Sequence, residues 1–215
     1  MNKKLIFILV VSLVVLLLLS LTGCSGTGNK ETITQGQDNE REEVKAENSS
    51  EAPDTDRNFV LSSSAFKNGG TIPVKYCMHQ IKDGQNISPP LSWTDPPAGT
   101  KSFALFCIDT HPIANNWIHW AVVNIPADWR GIEEGASGTE KMKGALELKN
   151  SYGFKGWGGP MPPEGSGVHN YEFHLLALPY DKVDLPTLPN TSMSLFKKLQ
   201  KEALAESVLV GTYER

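Results

Sequence analysis

Cysteine is scarce in this 215-residue chain: Cys24, Cys77 and Cys107 are the three, and none of them forms the C-x-x-C pair of a zinc ribbon or a thioredoxin-like centre. Charge is scarce too. There are 20 Lys and Arg against 24 Asp and Glu, for a net of −4, and no basic stripe interleaved with aromatics runs along the chain. That excludes a nucleic-acid binder, whose affinity rests on clustered Lys and Arg. The lack of any internal repeat excludes solenoids and propellers. There is no G-x-S-x-G nucleophile elbow. What is present, 40% hydrophobic residues and five tryptophans, suffices for one packed core and is short for two ordinary domains.

Polar residues almost vanish from residues 5–21, where Ser12 and Ser20 are the breaks in an apolar run that follows Lys3 and Lys4. This reads as a signal peptide or a short membrane anchor. The next step, Leu21-Thr22-Gly23-Cys24, resembles the bacterial lipobox, in which the Cys sulfur is diacylated and cleavage makes that Cys the mature N-terminus. Residues 1–24 are therefore expected to be a lipoprotein signal peptide, and the protein an extracytoplasmic one held to the cell membrane or envelope by Cys24. The alternative is an uncleaved transmembrane helix, which a run of this length just spans. Residues 25–58 have no aromatic residue and nine acidic against four basic ones. Such a segment buries too little apolar surface to offset chain entropy, so it is expected to be a disordered acidic tether with a reach of roughly 30 Å. Its charge would hold the domain off anionic lipid head groups.

From Phe59 onward, short apolar runs alternate with Gly, Pro and Asn clusters, the signature of an all-β sandwich or barrel. Residues 102–109, 117–125, 171–178 and 207–213 are expected strands, most of them so continuously apolar that both faces must be covered. Residues 85–100 and 153–167, rich in Pro and Gly, are expected to be irregular loops. Residues 192–205 open on a capping Ser and space Leu195, Phe196, Leu199 and Ala203 as one face of a helix. One or two short helices on a strand-dominated sandwich is the fold expected of residues 59–215.

Three segments carry polar chemistry. Cys107-Ile108-Asp109-Thr110-His111-Pro112 ends an apolar strand in a carboxylate and an imidazole, and Pro112 stops the ladder there. In Trp117-Ile118-His119-Trp120 an imidazole lies inside an apolar strand, where it must find a hydrogen-bond partner or bear the cost of burial; a satisfied core histidine is the plain reading. Residues 158–171 form a Pro/Gly loop that delivers His169 and Tyr171 to the start of a strand, and glycines there let a backbone approach an anion; a surface loop is the plain reading.

Taken in order, Asp83 to Trp93, Ile108 to Pro112, Trp117 to Trp120 with the following Val122-Val123-Asn124-Ile125-Pro126, Gly158 to Tyr171, and Leu209 to Arg215 resemble the phosphatidylethanolamine-binding proteins in their bacterial and archaeal Raf-kinase-inhibitor-like branch. The resemblance implies a β-sandwich whose cavity binds phosphate or the phosphoryl group of phosphoethanolamine, with no enzyme activity, cofactor or metal. The positions it marks are Asp109, His119, Pro163, His169 and Tyr171, with His111 at the rim. Two departures stand out. Asp109-Thr110-His111-Pro112 replaces a motif that often reads Asp-Pro-Asp-Ala-Pro, and Met161 stands where the family has a loop glycine. Imidazoles and a phenol would supply donors, with loop N–H groups adding more, and Asp109 would set a histidine tautomer or meet an ammonium. Affinity for a phosphate dianion is then expected to rise as His119 or His169 protonates.

Other readings compete. Asp109, His111, His119 and His169 would make a metal ligand set if they converged. A Ser/His/Asp hydrolase would need a serine such as Ser166 paired with a base. A protein-interaction module, for instance an envelope protease inhibitor, would use the loops around the cavity. Cys77 and Cys107 are either a disulfide, worth about 3 to 4 kcal/mol by chain entropy, or two buried thiols.

Overall fold

The computed structural model describes residues 59–185 and 192–215. The leader, Cys24 and the tether lie outside the described residues. Among the described residues nine strands form two sheets: β1 (Val60–Ser62), β3 (Leu91–Thr94) and β6 (Gly131–Ile132) make the smaller one, in the order β1-β3-β6. The larger sheet runs β2-β9-β8-β4-β5-β7, from β2 (Gly70–Thr71), β9 (Ala205–Tyr213), β8 (His169–Leu178), β4 (Ser102–Asp109), β5 (Trp117–Pro126) and β7 (Leu146–Glu147). Every pairing is antiparallel except β2 with β9.

The unbroken hydrophobicity of β4 has a direct physical cause. Phe103, Leu105 and Cys107 point to the smaller sheet, where they pack with Phe59, Trp93, Trp120 and Phe173. Ala104, Phe106 and Ile108 point the other way, against Leu148, Leu176 and the helix residues Phe196 and Leu199. With a side-chain period of two, a strand covered on both faces must be apolar at every position. Phe103 meets Trp93 edge-on at 5.4 Å, and Phe106 meets Phe196 at 5.3 Å.

The helix α1 spans Met193–Glu202, and Ser192 Oγ accepts from Leu195 N–H at its start. It is shorter than the apolar spacing predicts. Ala203 is already extended, Leu204 N–H donates to Ala177 O, and Ala205 pairs with Ala177, so the β8–β9 ladder takes the last residues that helical spacing would claim. The same ladder starts β8 at His169, two residues before the apolar run. Three single-turn 3₁₀ segments, Val74–Tyr76, Pro112–Ala114 and Glu140–Met142, accompany the one α-helix among the described residues.

Cys77 and Cys107 are free and buried in this structure, the arrangement of two buried thiols. Burial pushes the Cys77 thiol up to about 11 and Cys107 well above its ordinary value, so neither is a ready nucleophile.

The residue 156–163 loop is pinned to the sandwich edge. Trp157 Nε1–H donates to Tyr76 O, Gly159 N–H to Asn86 Oδ1 and Met78 N–H to Pro160 O. Gly159 has no room for a side chain: a Cβ there would overlap the Tyr76 carbonyl oxygen and stand 2.8 Å from Cys77 Cα. Both are backbone atoms and cannot swing aside. Gly159→Ala should therefore cost about 1 to 3 kcal/mol in urea unfolding, and a variant as stable as the parent would show that the loop is not held against residues 76–77.

Candidate ligand-binding site

A cavity of about 390 Å³ opens at the end of the three central strands, where β5, β4 and β8 stop at Trp117, Asp109 and His169. The register builds its floor. Asp109 is paired with Tyr171 on β8 and with Trp117 on β5, and His169 lies two residues from Tyr171 on the same face. His119 arrives by a β-bulge. Cys107 pairs with Trp120 and Ile108 with Ile118, so His119 is the extra residue between them, and it shares the inner face with Trp120. A regular strand would have turned it to the face of α1.

Each floor residue is nearly sealed from solvent, and its hydrogen bonds define what it can offer. His119 and the loop embrace through two bonds: Gly158 N–H donates to His119 O, and His119 Nδ1 lies 2.6 Å from Gly158 O. A carbonyl only accepts, so the proton is on Nδ1 and the neutral ring presents a bare Nε2. Burial lowers the His119 pKa to about 4, against the pull of the Gly158 carbonyl and the Asp109 carboxylate. The expectation that this ring charges near neutral pH is thereby corrected; a desolvated imidazolium costs more than those groups return.

His169 is closed on both sides. Its Nδ1 is 2.6 Å from Asp109 Oδ2, with the pair 1% and 5% exposed, and its Nε2 is 2.9 Å from Ser166 Oγ. Asp109 Oδ1 accepts from His111 N–H. Tyr171 is different: it is fully buried in the cavity wall, and its hydroxyl has no hydrogen-bond partner among the described residues. Burial, with the Asp109 carboxylate second, raises its pKa and keeps the phenol protonated.

Pro163 lines the cavity as the loop motif implies, beside Met161 and Pro162. His111 does not line it. Its ring stacks on His169 with centroids 3.9 Å apart, while its Nδ1 accepts from Ile113 N–H and so caps the Pro112–Ala114 turn. That turn projects Ile113 and Ala114 into the wall, and Asn115 and Asn116, at φ 51° and 57°, reverse the chain into β5. The residue-level reading missed Ile113, Ala114 and Tyr152, and took Trp117 only as a neighbour of His119. Tyr152 meets both Trp117 and His119 edge-on, at 5.3 and 5.6 Å, and donates to Gly159 O. It follows β7 with no local motif to mark it, so no sequence signal could have found it. The result is a polar floor under an apolar collar, in which Ile113 is 62% exposed.

Among the described residues, no group of three or more His, Cys, Asp or Glu is placed to hold a metal ion. Both nitrogens of His169 face other partners, and His111 Nδ1 accepts from Ile113 N–H. Ser166, His169 and Asp109 do stand in triad order, a pairing the sequence reading did not find. The Ser166 hydroxyl, however, is 2.6 Å from Pro163 O, an atom that can only accept, and Ser166 is not in the cavity wall. The serine proton is thus directed away from His169.

Fold and site together define a β-sandwich with a cavity at the ends of its central strands. The chain belongs to the phosphatidylethanolamine-binding protein family, whose model matches residues 62–214. It is 40% identical over 157 residues to a UPF0098 protein of Methanothermobacter thermautotrophicus, covering 72% of this chain and 98% of that one. It is 31% identical over 199 residues to the putative lipoprotein LppC of Mycobacterium tuberculosis, covering 92% of each. Among solved structures it is similar to Escherichia coli YbcL, a member of the mammalian PEBP family, with a TM-score of 0.66 and 32% identity over 74% of this chain and 99% of that one.

The buried ring of His119 also makes stability depend on pH. In the unfolded chain it takes a proton near its ordinary value of 6.5, but in the folded protein only near 4. The stability held by the neutral ring is complete above 6.5 and lost as pH falls toward 4, by about 3 kcal/mol for this group. Urea unfolding at pH 7 and pH 4 should show the parent losing about that much more than His119→Gln. Equal losses in the two proteins would mean that His119 titrates as it does in water.

Proposed function

We propose that this protein binds, without turning it over, a small phosphorylated or otherwise anionic ligand whose polar head reaches the floor formed by Asp109, His119, His169 and Tyr171. The observation that carries this reading is the Tyr171 hydroxyl, a buried donor on a cavity-lining residue with no hydrogen-bond partner among the described residues. A buried donor left unpaired costs about 1 to 3 kcal/mol, and an anionic oxygen is the partner that relieves it best. The collar of Ile113, Trp117, Tyr152 and Met161 suits an apolar or aromatic portion of the same ligand. Non-catalytic binding accords with the Ser166 proton being committed to Pro163 O.

The test is an NMR and calorimetric titration of the full-length protein in detergent micelles with phosphoethanolamine and with inorganic phosphate. Saturable shifts of the His119 and Tyr171 ring signals are expected. Tyr171→Phe should bind about tenfold more weakly, the worth of one hydrogen bond, while its unfolding free energy stays equal or rises, since it removes an unpaired polar group. No shift with either ligand would overturn the anion reading and favour a docking role for the loops around the cavity, on a partner such as an envelope protease.

Membrane attachment through Cys24 is the second part of the proposal. It is supported by the lipobox at residues 21–24 and by the likeness to a protein named a putative lipoprotein, which extends over 92% of this chain. Among the described residues no helix is long and apolar enough to cross a membrane. Intact-mass analysis of the protein purified from membranes should give a chain beginning at Cys24 with a diacylglyceryl adduct, and Cys24→Ser should abolish both. A mass corresponding to all 215 residues would mean an uncleaved anchor.

A further inference from the structure

We propose that His119 makes this cavity selective for anions that still carry a proton, such as hydrogen phosphate or a phosphomonoester monoanion, over isosteric anions that carry none, such as a sulfate ester. This rests on the reading of the cavity as an anion site and specifies which anions enter.

The argument is an inventory of donors and acceptors on the floor. With its Nδ1–H committed to Gly158 O, His119 offers the cavity only the lone pair of Nε2. Asp109 is occupied on both oxygens, Oδ1 accepting from His111 N–H and Oδ2 lying 2.6 Å from His169 Nδ1. His169 has no free nitrogen, since Asp109 and Ser166 hold both. In the Pro/Gly loop Pro160, Pro162 and Pro163 have no N–H and those of Gly158 and Gly159 go to His119 O and Asn86 Oδ1, which leaves the Met161 N–H as the loop's backbone donor at the cavity. Among the floor residues Asp109, His119, His169 and Tyr171, the Tyr171 hydroxyl is the side-chain donor without a partner. A ligand that satisfies this floor accepts from Tyr171 and donates to His119 Nε2. A P–O–H group beside a P–O⁻ oxygen does both. A sulfate ester has oxygens only to accept with, and it would face a lone pair at Nε2.

The ring has one other way to meet such an ion, which is to take up a proton itself. The groups around it set how costly that is: Asp109 on β4, His169 and Tyr171 on β8, Tyr152 after β7, Trp157, and the Gly158 and Gly159 carbonyls. With the His119 pKa lowered to about 4, protonating it at pH 7 reduces apparent affinity roughly a thousandfold. Supplying the proton on a phosphomonoester, whose second pKa is near 6, reduces it only about tenfold.

Calorimetry of the full-length protein in micelles, with phosphoethanolamine against ethanolamine O-sulfate, tests this directly. The phosphate ester should bind on the order of a hundredfold more tightly at pH 7, with an affinity that is level below pH 6 and falls about tenfold per unit above it. In His119→Gln, whose amide can donate as well as accept, the preference should shrink to within about threefold. Equal binding of the two esters to the parent at pH 7 would overturn the selectivity while leaving the anion site standing. Binding of neither would overturn both. Full preference retained in His119→Gln would remove His119 as its source. Should that variant not fold, the parent's preference and its pH slope decide the matter.

Discussion

Strand β4 is covered on one face by the smaller sheet and on the other by α1, and this two-sided burial leaves polar chemistry a place only where the central strands end. A charged or hydrogen-bonding side chain in the middle of β4 would lie between two dry layers with no partner. At the strand ends the layers open, and there the chain places a carboxylate, two imidazoles and a phenol around one cavity. The same burial that makes the core makes the site electrostatically severe: it holds His119 neutral, keeps Tyr171 protonated and binds His169 to Asp109 in a pair sealed from water.

Local irregularities then decide what the cavity offers. One residue too many in β5 puts His119 on the inner face, and one loop carbonyl, Gly158 O, fixes which of its nitrogens carries the proton. The loop comes that close because residue 158 lacks a side chain; a Cβ there would stand 2.6 Å from the Tyr152 ring. A pocket that on residue types alone looks rich in donors is, by its hydrogen bonds, mostly acceptors. On the anion reading proposed above, that difference is the source of discrimination by protonation state.

The relatives fit this picture at different depths. The likeness to the archaeal UPF0098 protein and to Escherichia coli YbcL spans the sandwich, where packing dictates the pattern. The likeness to the mycobacterial lipoprotein covers 92% of this chain, so it extends beyond the sandwich.

Much of this was legible in the residues. The four long strands follow from continuous apolar runs, α1 from its cap and apolar face, and the candidacy of Asp109, His119, His169 and Tyr171 from polar groups within or at the ends of apolar strands, with Pro163 added by the family resemblance. The sequence determined these because they depend on composition and period, which are local. Tertiary structure alone decided the bulge at His119, the stacking of His111 on His169, the entry of Tyr152 into the wall, and the commitment of Ser166 to Pro163 O. It also decided that Cys77 and Cys107 stay thiols. Each of these depends on which backbone carbonyl or ring lies within a few ångströms of a side chain distant in sequence, and no spacing along the chain encodes that proximity.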